Sequence, residues 1–123
     1  TLFPYTTLFR SKLVTVYYDQ TVALAIDLMK KYDIENIPVF KEGLIVGSLS
    51  EGGLFDKILS DHQIKEHTVE SVMEKEYPTV PFDMPVGKLS NLISKHNGAV
   101  LSKDETGDYH IVTKYDIIQS LAK

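Results

Sequence analysis

The chain has 123 residues, of which 43% are hydrophobic and 24% are charged, a balance typical of a folded globular protein. The absence of cysteine excludes a disulfide framework and a thiolate metal site, and it agrees with the cytoplasm, where we expect the protein. The net charge of −4 argues against nonspecific nucleic-acid binding, and the apolar runs are too short to cross a membrane.

The first eleven residues fit no regular element. Residues 1–11 show neither a helical period nor strand alternation, and they lack the basic start and apolar core of a secretory signal. We expect residues 1–11 to be a non-native or disordered tail. The alternative is a short edge strand or arm that covers part of the domain.

Residues 12–66 predict the order strand, helix, strand, turn, strand, helix. The strands are rich in β-branched and aromatic residues, and the helices carry apolar residues every three or four positions. Pro38 has no N–H, so its strand should lie at an edge or begin there. The second helix should bury Leu54, Phe55, Ile58 and Leu59. The predicted strands are 12–17, 37–40 and 44–50, and the predicted helices are 22–32 and 51–59.

Residues 69–123 repeat this order after a polar connector. A short helical turn at 69–73 comes first, and Val86, Leu89, Leu92 and Ile93 form the apolar face of the next helix. The two halves align element by element, with length changes confined to loops, as expected of a structural repeat. The predicted strands are 77–80, 99–101 and 109–113, and the predicted helices begin near Asp83 and at Lys114.

Each half has a junction where an apolar strand runs into a helix. The second junction places Thr113 and Asp116 three residues apart, whereas the first places Ser50 before Gly53. A hydroxyl and an acid at this spacing outline a capping box, which is a common way to start a helix. Taken alone, the pair at the second junction therefore favours a structural cap over a ligand site.

Two sets of segments resemble CBS domains. Residues 19–29 (DQTVALAIDLM), 34–39 (IENIPV) and 43–50 (GLIVGSLS) resemble one domain, and residues 72–73, 81–86 (PFDMPV) and 111–116 (IVTKYD) resemble a second. The chain thus resembles a tandem CBS pair, the Bateman module. The resemblance implies an α/β (α+β) fold of two βαββα-type repeats, 12–66 and 69–123, packed with pseudo-two-fold symmetry.

The resemblance also implies a function. A tandem CBS pair is expected to be a regulatory domain and not an enzyme. It would sense S-adenosylmethionine, AMP or ATP in a cleft between the repeats and control an attached enzyme. We expect a homodimer and, N-terminal to this chain, a catalytic domain that carries pyridoxal phosphate. The alternative is a structural module for dimerisation or docking, with empty clefts.

The resemblance assigns roles to particular residues. Asp116 would accept hydrogen bonds from both ribose hydroxyls and Thr113 would bond the sugar. His110 stands where the family prefers glycine, and Gly53 replaces the acid in the first repeat, whose cleft should bind weakly. The expected ligand-binding residues are Ile34, Glu35, Asn36, Ile37, Val112, Thr113 and Asp116. The expected residues of the weaker cleft are Ser50, Asn97, Gly98 and Ala99.

Two other groups of residues have ordinary explanations. The four histidines show no metal-ligand spacing, so we expect them on the surface or in connectors. Asp104, Glu105 and Asp108 lack the twelve-residue pattern of a calcium loop, which favours a solvated hairpin turn. No nucleophile and base stand together in the sequence, and a hydrolase or transferase is therefore disfavoured.

Overall fold

The computed structural model describes residues 13–93 and 97–121, except for the side chains of Val86, Ser120 and Leu121. The expected tail, 1–11, lies outside the described residues, and so does His96. The chain divides into two compact units between Glu76 and Tyr77. Each unit has its own three-stranded sheet, which gives the mixed α and β fold that the sequence predicts.

The first unit follows the predicted order. The bounds expected for its first helix and its third strand are confirmed, whereas its first strand is limited to two residues. A 3₁₀ turn, His62–Glu66, follows the second helix. The elements are β1 (Val16–Tyr17), α1 (Val22–Tyr32), β2 (Asn36–Lys41), β3 (Leu44–Ser50), α2 (Glu51–Ser60) and α3 (Val69–Val72).

Helix α1 has a defined start and a defined stop. The Oγ1 atom of Thr21 accepts a hydrogen bond from the N–H of Leu24 at 3.3 Å, which satisfies a free donor of the first turn. Asp33 ends the helix in the left-handed conformation, with φ of 52°. Between these residues, Val22, Ala25 and Met29 face the core of the first unit.

The position of Pro38 corrects one prediction. Strand β2 is the central strand of its sheet, and Pro38 is its third residue. Strand β1 pairs with β2 only at Val39 and Phe40, so Pro38 precedes the stretch that has neighbours on both sides. The missing N–H is tolerated because, at Pro38, the described sheet has only β3 as a partner.

The buried side of α2 is narrower than the sequence predicts. Leu54 is buried and Ile58, four residues later, is half-buried. Phe55 and Leu59 are 61% and 63% exposed. Each lies one residue, or about 100°, further round the helix, so a single face cannot bury both pairs.

The second unit repeats the plan of the first. Its core contains Val80, Leu89, Val100, Val112 and Ile117. In each sheet the middle strand pairs with one neighbour in parallel and with the other in antiparallel fashion. The elements are β4 (Thr79–Pro81), α4 (Val86–Leu92), β5 (Ala99–Lys103), β6 (Tyr109–Thr113) and α5 (Lys114–Leu121).

Candidate functional site

The junction between β6 and α5 brings Thr113 and Asp116 together. The backbone N–H and the hydroxyl of Thr113 both donate to Oδ2 of Asp116, at 2.9 and 3.1 Å. In return, the N–H of Asp116 donates to Oγ1 of Thr113 at 3.4 Å. This reciprocal arrangement is a capping box, so the structural alternative raised by the sequence is realised here.

The same arrangement leaves Asp116 with capacity for further bonds. Both bonds from Thr113 fall on Oδ2, and within 13–93 and 97–121 no residue donates a hydrogen bond to Oδ1. An ionised carboxylate offers about four acceptor positions. The acid also lies in the first turn of α5, where the helix dipole favours a negative charge. Thr113 therefore orients a half-buried carboxylate that can still accept hydrogen bonds.

The junction between β3 and α2 has a similar hydroxyl but a different acid. The N–H of Gly53 donates to Oγ of Ser50 at 3.0 Å. The Ser50 hydroxyl in turn donates to Oε1 of Glu74 at 3.2 Å. A Cβ atom added at Gly53 would overlap the Glu74 carboxylate. The acid that is absent at position 53 is thus replaced in space by Glu74, which the sequence did not indicate.

Several of the expected ligand-binding groups are already engaged within the first unit. The N–H of Ile34 donates to the carbonyl of Met29 at 3.0 Å, and the carbonyl of Glu35 accepts from Glu51 at 2.9 Å. The side chain of Ile37 is fully buried in the core of the first unit. The Glu35 side chain is exposed and Asn36 is half-buried on β2. Of this group, the Glu35 carboxylate is the most accessible to a ligand.

The expected residues of the second unit are also involved in its own packing. Val112, which is one of the expected ligand-binding residues, is fully buried in the core of the second unit. Asn97 donates from Nδ2 to the carbonyl of Leu92 at 2.7 Å, which satisfies a free acceptor at the end of α4. Ala99 is buried and pairs with Thr113, and Gly98 is half-buried. That these residues and those of the first unit serve common ligands stays a prediction.

Asp104 organises the hairpin loop before β6. Its Oδ1 accepts from the N–H and the hydroxyl of Thr106 at 2.9 and 2.6 Å, and its Oδ2 lies 2.7 Å from Nε2 of His110. The bond from the Thr106 hydroxyl, followed by that from His110, holds the pKa of Asp104 well below its usual range. The loop is thus ordered by one acid that receives several hydrogen bonds.

Two classes of feature are absent from the described part of the chain. Within residues 13–93 and 97–121, no three histidine, cysteine or acidic side chains are grouped so that they could hold a metal ion. Across the same residues, no helix has the length and hydropathy needed to cross a membrane.

The two units share one plan, in which a three-stranded sheet leads into a helix that a hydroxyl side chain caps. The chain belongs to the CBS-domain family, and it contains two such domains in tandem. The family model named "CBS domain" matches residues 6–60 and 69–123. The second match begins before the boundary between the compact units, so residues 69–76 belong to one repeat by sequence and to the other unit in space.

One characterised relative is an enzyme. A cystathionine beta-synthase of Dictyostelium discoideum is 26% identical over 118 residues, which cover 91% of this chain and 24% of that protein. The chain therefore spans about a quarter of the length of that relative.

Solved structures share the fold. The CBS domain pair of protein MJ0100, in complex with 5′-methylthioadenosine and S-adenosyl-L-methionine, has a TM-score of 0.81 and 22% identity, covering 99% of this chain and 98% of that one. The CBS-domain containing protein ATU1752 of Agrobacterium tumefaciens has a TM-score of 0.78 and 16% identity, covering 89% and 84%. At these identities the likeness shows the fold alone.

Proposed function

We propose that this CBS pair binds an adenosyl compound, either S-adenosylmethionine or AMP or ATP, and regulates an attached enzyme. The observation that carries the proposal is the Thr113–Asp116 pair, in which one carboxylate oxygen is fixed by Thr113 and the other accepts no bond from a described residue. A ribose has two adjacent hydroxyls, and one carboxylate can accept from both. Such charge-assisted bonds are stronger than bonds between neutral groups.

Two exposed charged side chains, one in each unit, can distinguish among adenosyl ligands. Lys114 follows Thr113 directly and is exposed, so it can pair with a carboxylate or a phosphate. The exposed Glu35 carboxylate can pair with the amino group of the methionine portion of S-adenosylmethionine. The complex of MJ0100 with S-adenosyl-L-methionine supports an adenosyl ligand as the first class to test.

We propose cystathionine β-synthase as the attached enzyme. Residues 43–59 and 86–121 are similar to its C-terminal regulatory region, and the Dictyostelium relative bears that name. The catalytic part, which carries pyridoxal phosphate, would precede this chain in a cytoplasmic protein. Regulation requires that the ligand bind more tightly to one state of the enzyme than to another.

Thermal unfolding with and without ligand tests the binding proposal. A ligand at a hundred times its Kd stabilises the folded chain by about 2.7 kcal/mol, which raises Tm by several degrees. We expect S-adenosylmethionine, AMP or ATP to produce this rise in the wild-type chain and in the control Glu105→Ala, and a smaller rise in Asp116→Ala. If millimolar concentrations of all three give neither a rise in Tm nor heat in calorimetry, the proposal is wrong.

A structural role in dimerisation is the second candidate, and exposed apolar residues favour it. Phe55 and Leu59 on α2 are 61% and 63% exposed, and Tyr115 and Ile118 on α5 are 63% and 61% exposed. Large apolar side chains grouped on a surface are typical of interfaces between copies of a chain. Light scattering separates the candidates, because a dimer that forms equally with and without ligand, together with no ligand binding, would favour the structural role.

A further inference from the structure

Glu74 is held in place by its backbone. The N–H of Ser48 donates to the carbonyl of Glu74 at 3.0 Å, and the N–H of Glu74 donates to the carbonyl of Ser48 at 2.8 Å. The buried hydroxyl of Ser48 adds a bond of 2.6 Å to the carbonyl of Lys75. The segment around Glu74 therefore extends the first sheet beyond β3. These bonds fix the position of the segment without any contribution from the Glu74 side chain.

Gly47 makes this close approach possible. A Cβ atom at Gly47 would lie 2.9 Å from Cγ of Met73 and 3.0 Å from the carbonyl oxygen of Glu74. Both distances are too short for an ordinary contact, so a larger residue would push the segment away from β3. Gly47 and Gly53 thus clear the space for the backbone and for the carboxylate of Glu74, respectively.

The resulting pair matches the pair in the second unit. The Ser50 hydroxyl lies 3.2 Å from Oε1 of Glu74, and the Thr113 hydroxyl lies 3.1 Å from Oδ2 of Asp116. Each hydroxyl also accepts an N–H from the first turn of the following helix. The two repeats therefore present the same two chemical groups at equivalent points.

Glu74 also borders a shallow cavity that is open at the surface of the first unit. The cavity has a volume of about 390 Å³, and its wall includes Gly53, Lys57, Ile64 and Glu74. Pockets for small molecules have volumes of about 300 to 1,000 Å³. Asp56 and Asp61 also line this cavity, so that it has three acidic groups and one amine, from Lys57, while Ile64 adds an apolar surface.

We infer that Ser50 and Glu74 form a second site for a vicinal diol, so that the first repeat binds the ribose of a nucleoside-type ligand. The ligand class rests on the function proposed above. Glu74 accepts hydrogen bonds from both hydroxyls of the diol, and Ser50 orients the carboxylate as Thr113 orients Asp116. The first repeat then contains a complete site, whose acid, Glu74, is distant in sequence from Ser50. The weak cleft that Gly53 suggested is not what the first repeat presents.

Calorimetric titration of the whole chain with S-adenosylmethionine, and separately with AMP, counts the sites. We expect two sites in the wild-type chain, one in Glu74→Gln and one in Asp116→Asn, with at least one of the two probes. Glu76→Gln removes the same charge two residues further on and should retain both sites. Circular dichroism checks that Glu74→Gln, a change at an exposed side chain, melts as the wild-type chain does.

The outcomes separate this inference from the function proposed above. A single site that Asp116→Asn abolishes and Glu74→Gln leaves intact would overturn the inference alone. A gain of binding in Glu74→Gln would show that the carboxylate blocks the cavity, and this too would overturn it. If Glu74→Gln loses one site while Asp116→Asn retains two, the inference stands and the proposed role of Asp116 falls.

Discussion

The two repeats obtain an acid for the same hydroxyl in different ways. In the second unit, Asp116 comes from the first turn of the helix that Thr113 begins. In the first unit, Glu74 comes from a segment 24 positions beyond Ser50 and is positioned by a bridge to β3. A motif defined by sequence spacing detects the Thr113–Asp116 pair but not the Ser50–Glu74 pair. A motif residue that is missing from one repeat therefore does not mean that the chemical group is missing from that repeat.

The two hairpins differ in a similar manner. The first repeat turns within two residues, Glu42 and Gly43, which both have positive φ, of 52° and 79°. This backbone conformation matches the twist of the two strands that it joins. The second repeat uses a longer loop, which depends on the side chain of Asp104. The first hairpin is therefore set by backbone conformation, whereas the second combines the positive φ of Gly107 with the hydrogen bonds that Asp104 accepts.

The largest effect should come from the glycine that admits the Glu74 segment. Gly47→Ala should destabilise the chain by about 1–3 kcal/mol, because the new methyl group overlaps Met73. Gly52→Ala is the matched control, since nothing lies within 4 Å of its added Cβ, and an alanine in a helix should stabilise by about 0.5–1 kcal/mol. Urea unfolding measures both variants. Equal stability of the two would contradict the role given to Gly47.

An acid introduced at position 53 should compete with the Glu74 carboxylate for the same space. Gly53→Asp should destabilise the chain modestly, because the exposed Glu74 carboxylate must move away from the new Cβ atom and then lies close to a second negative charge. Combined with Glu74→Ala, the same change should cost less, giving an interaction free energy of at least about 0.5 kcal/mol in a double-mutant cycle. Strictly additive effects of the two changes would show that Glu74 does not take the place of the absent acid.

Local patterns in the amino-acid sequence predicted much of the fold. The bounds of α1, β3 and β6 follow from periodicity and from turn residues, and they are confirmed. The central position of β2 could not be foreseen from Pro38, since the order of strands depends on contacts that are distant in sequence. The exposure of Phe55 and Leu59 was missed because one face of α2 can bury only one of the two neighbouring apolar pairs, and the sequence does not show which pair faces the core.

The candidate site was only partly predictable. Thr113 and Asp116 are neighbours on one helix turn, so their spacing alone brought them together. Glu74 shares no short spacing with Ser50, and only the bridge through Ser48 places its carboxylate. Ile37 and Val112 are buried in the cores of their own units because their side chains lie on the inner face of each strand. Alternation along one strand does not reveal what lies against that face.

The smallest effect concerns the hairpin of the second repeat. Asp104 has its pKa lowered by hydrogen bonds from Thr106 and His110, so its ionised form stabilises the folded chain. This contribution is present above the ordinary pKa of 3.8 and is lost as the pH falls towards the lowered value. In urea unfolding, Asp104→Asn should therefore be less stable than the wild-type chain at pH 6, and the difference should shrink at pH 3. The control Glu105→Gln should show no such change, and a difference that grows at low pH would contradict this sign.

A crystal structure of the chain with bound S-adenosylmethionine or AMP tests the central claim most directly. Both ribose hydroxyls of one bound ligand should lie within about 3.0 Å of the Asp116 carboxylate, while the bond between Thr113 and Oδ2 is retained. A structure in which no bound ligand contacts Asp116 through its ribose would contradict this claim.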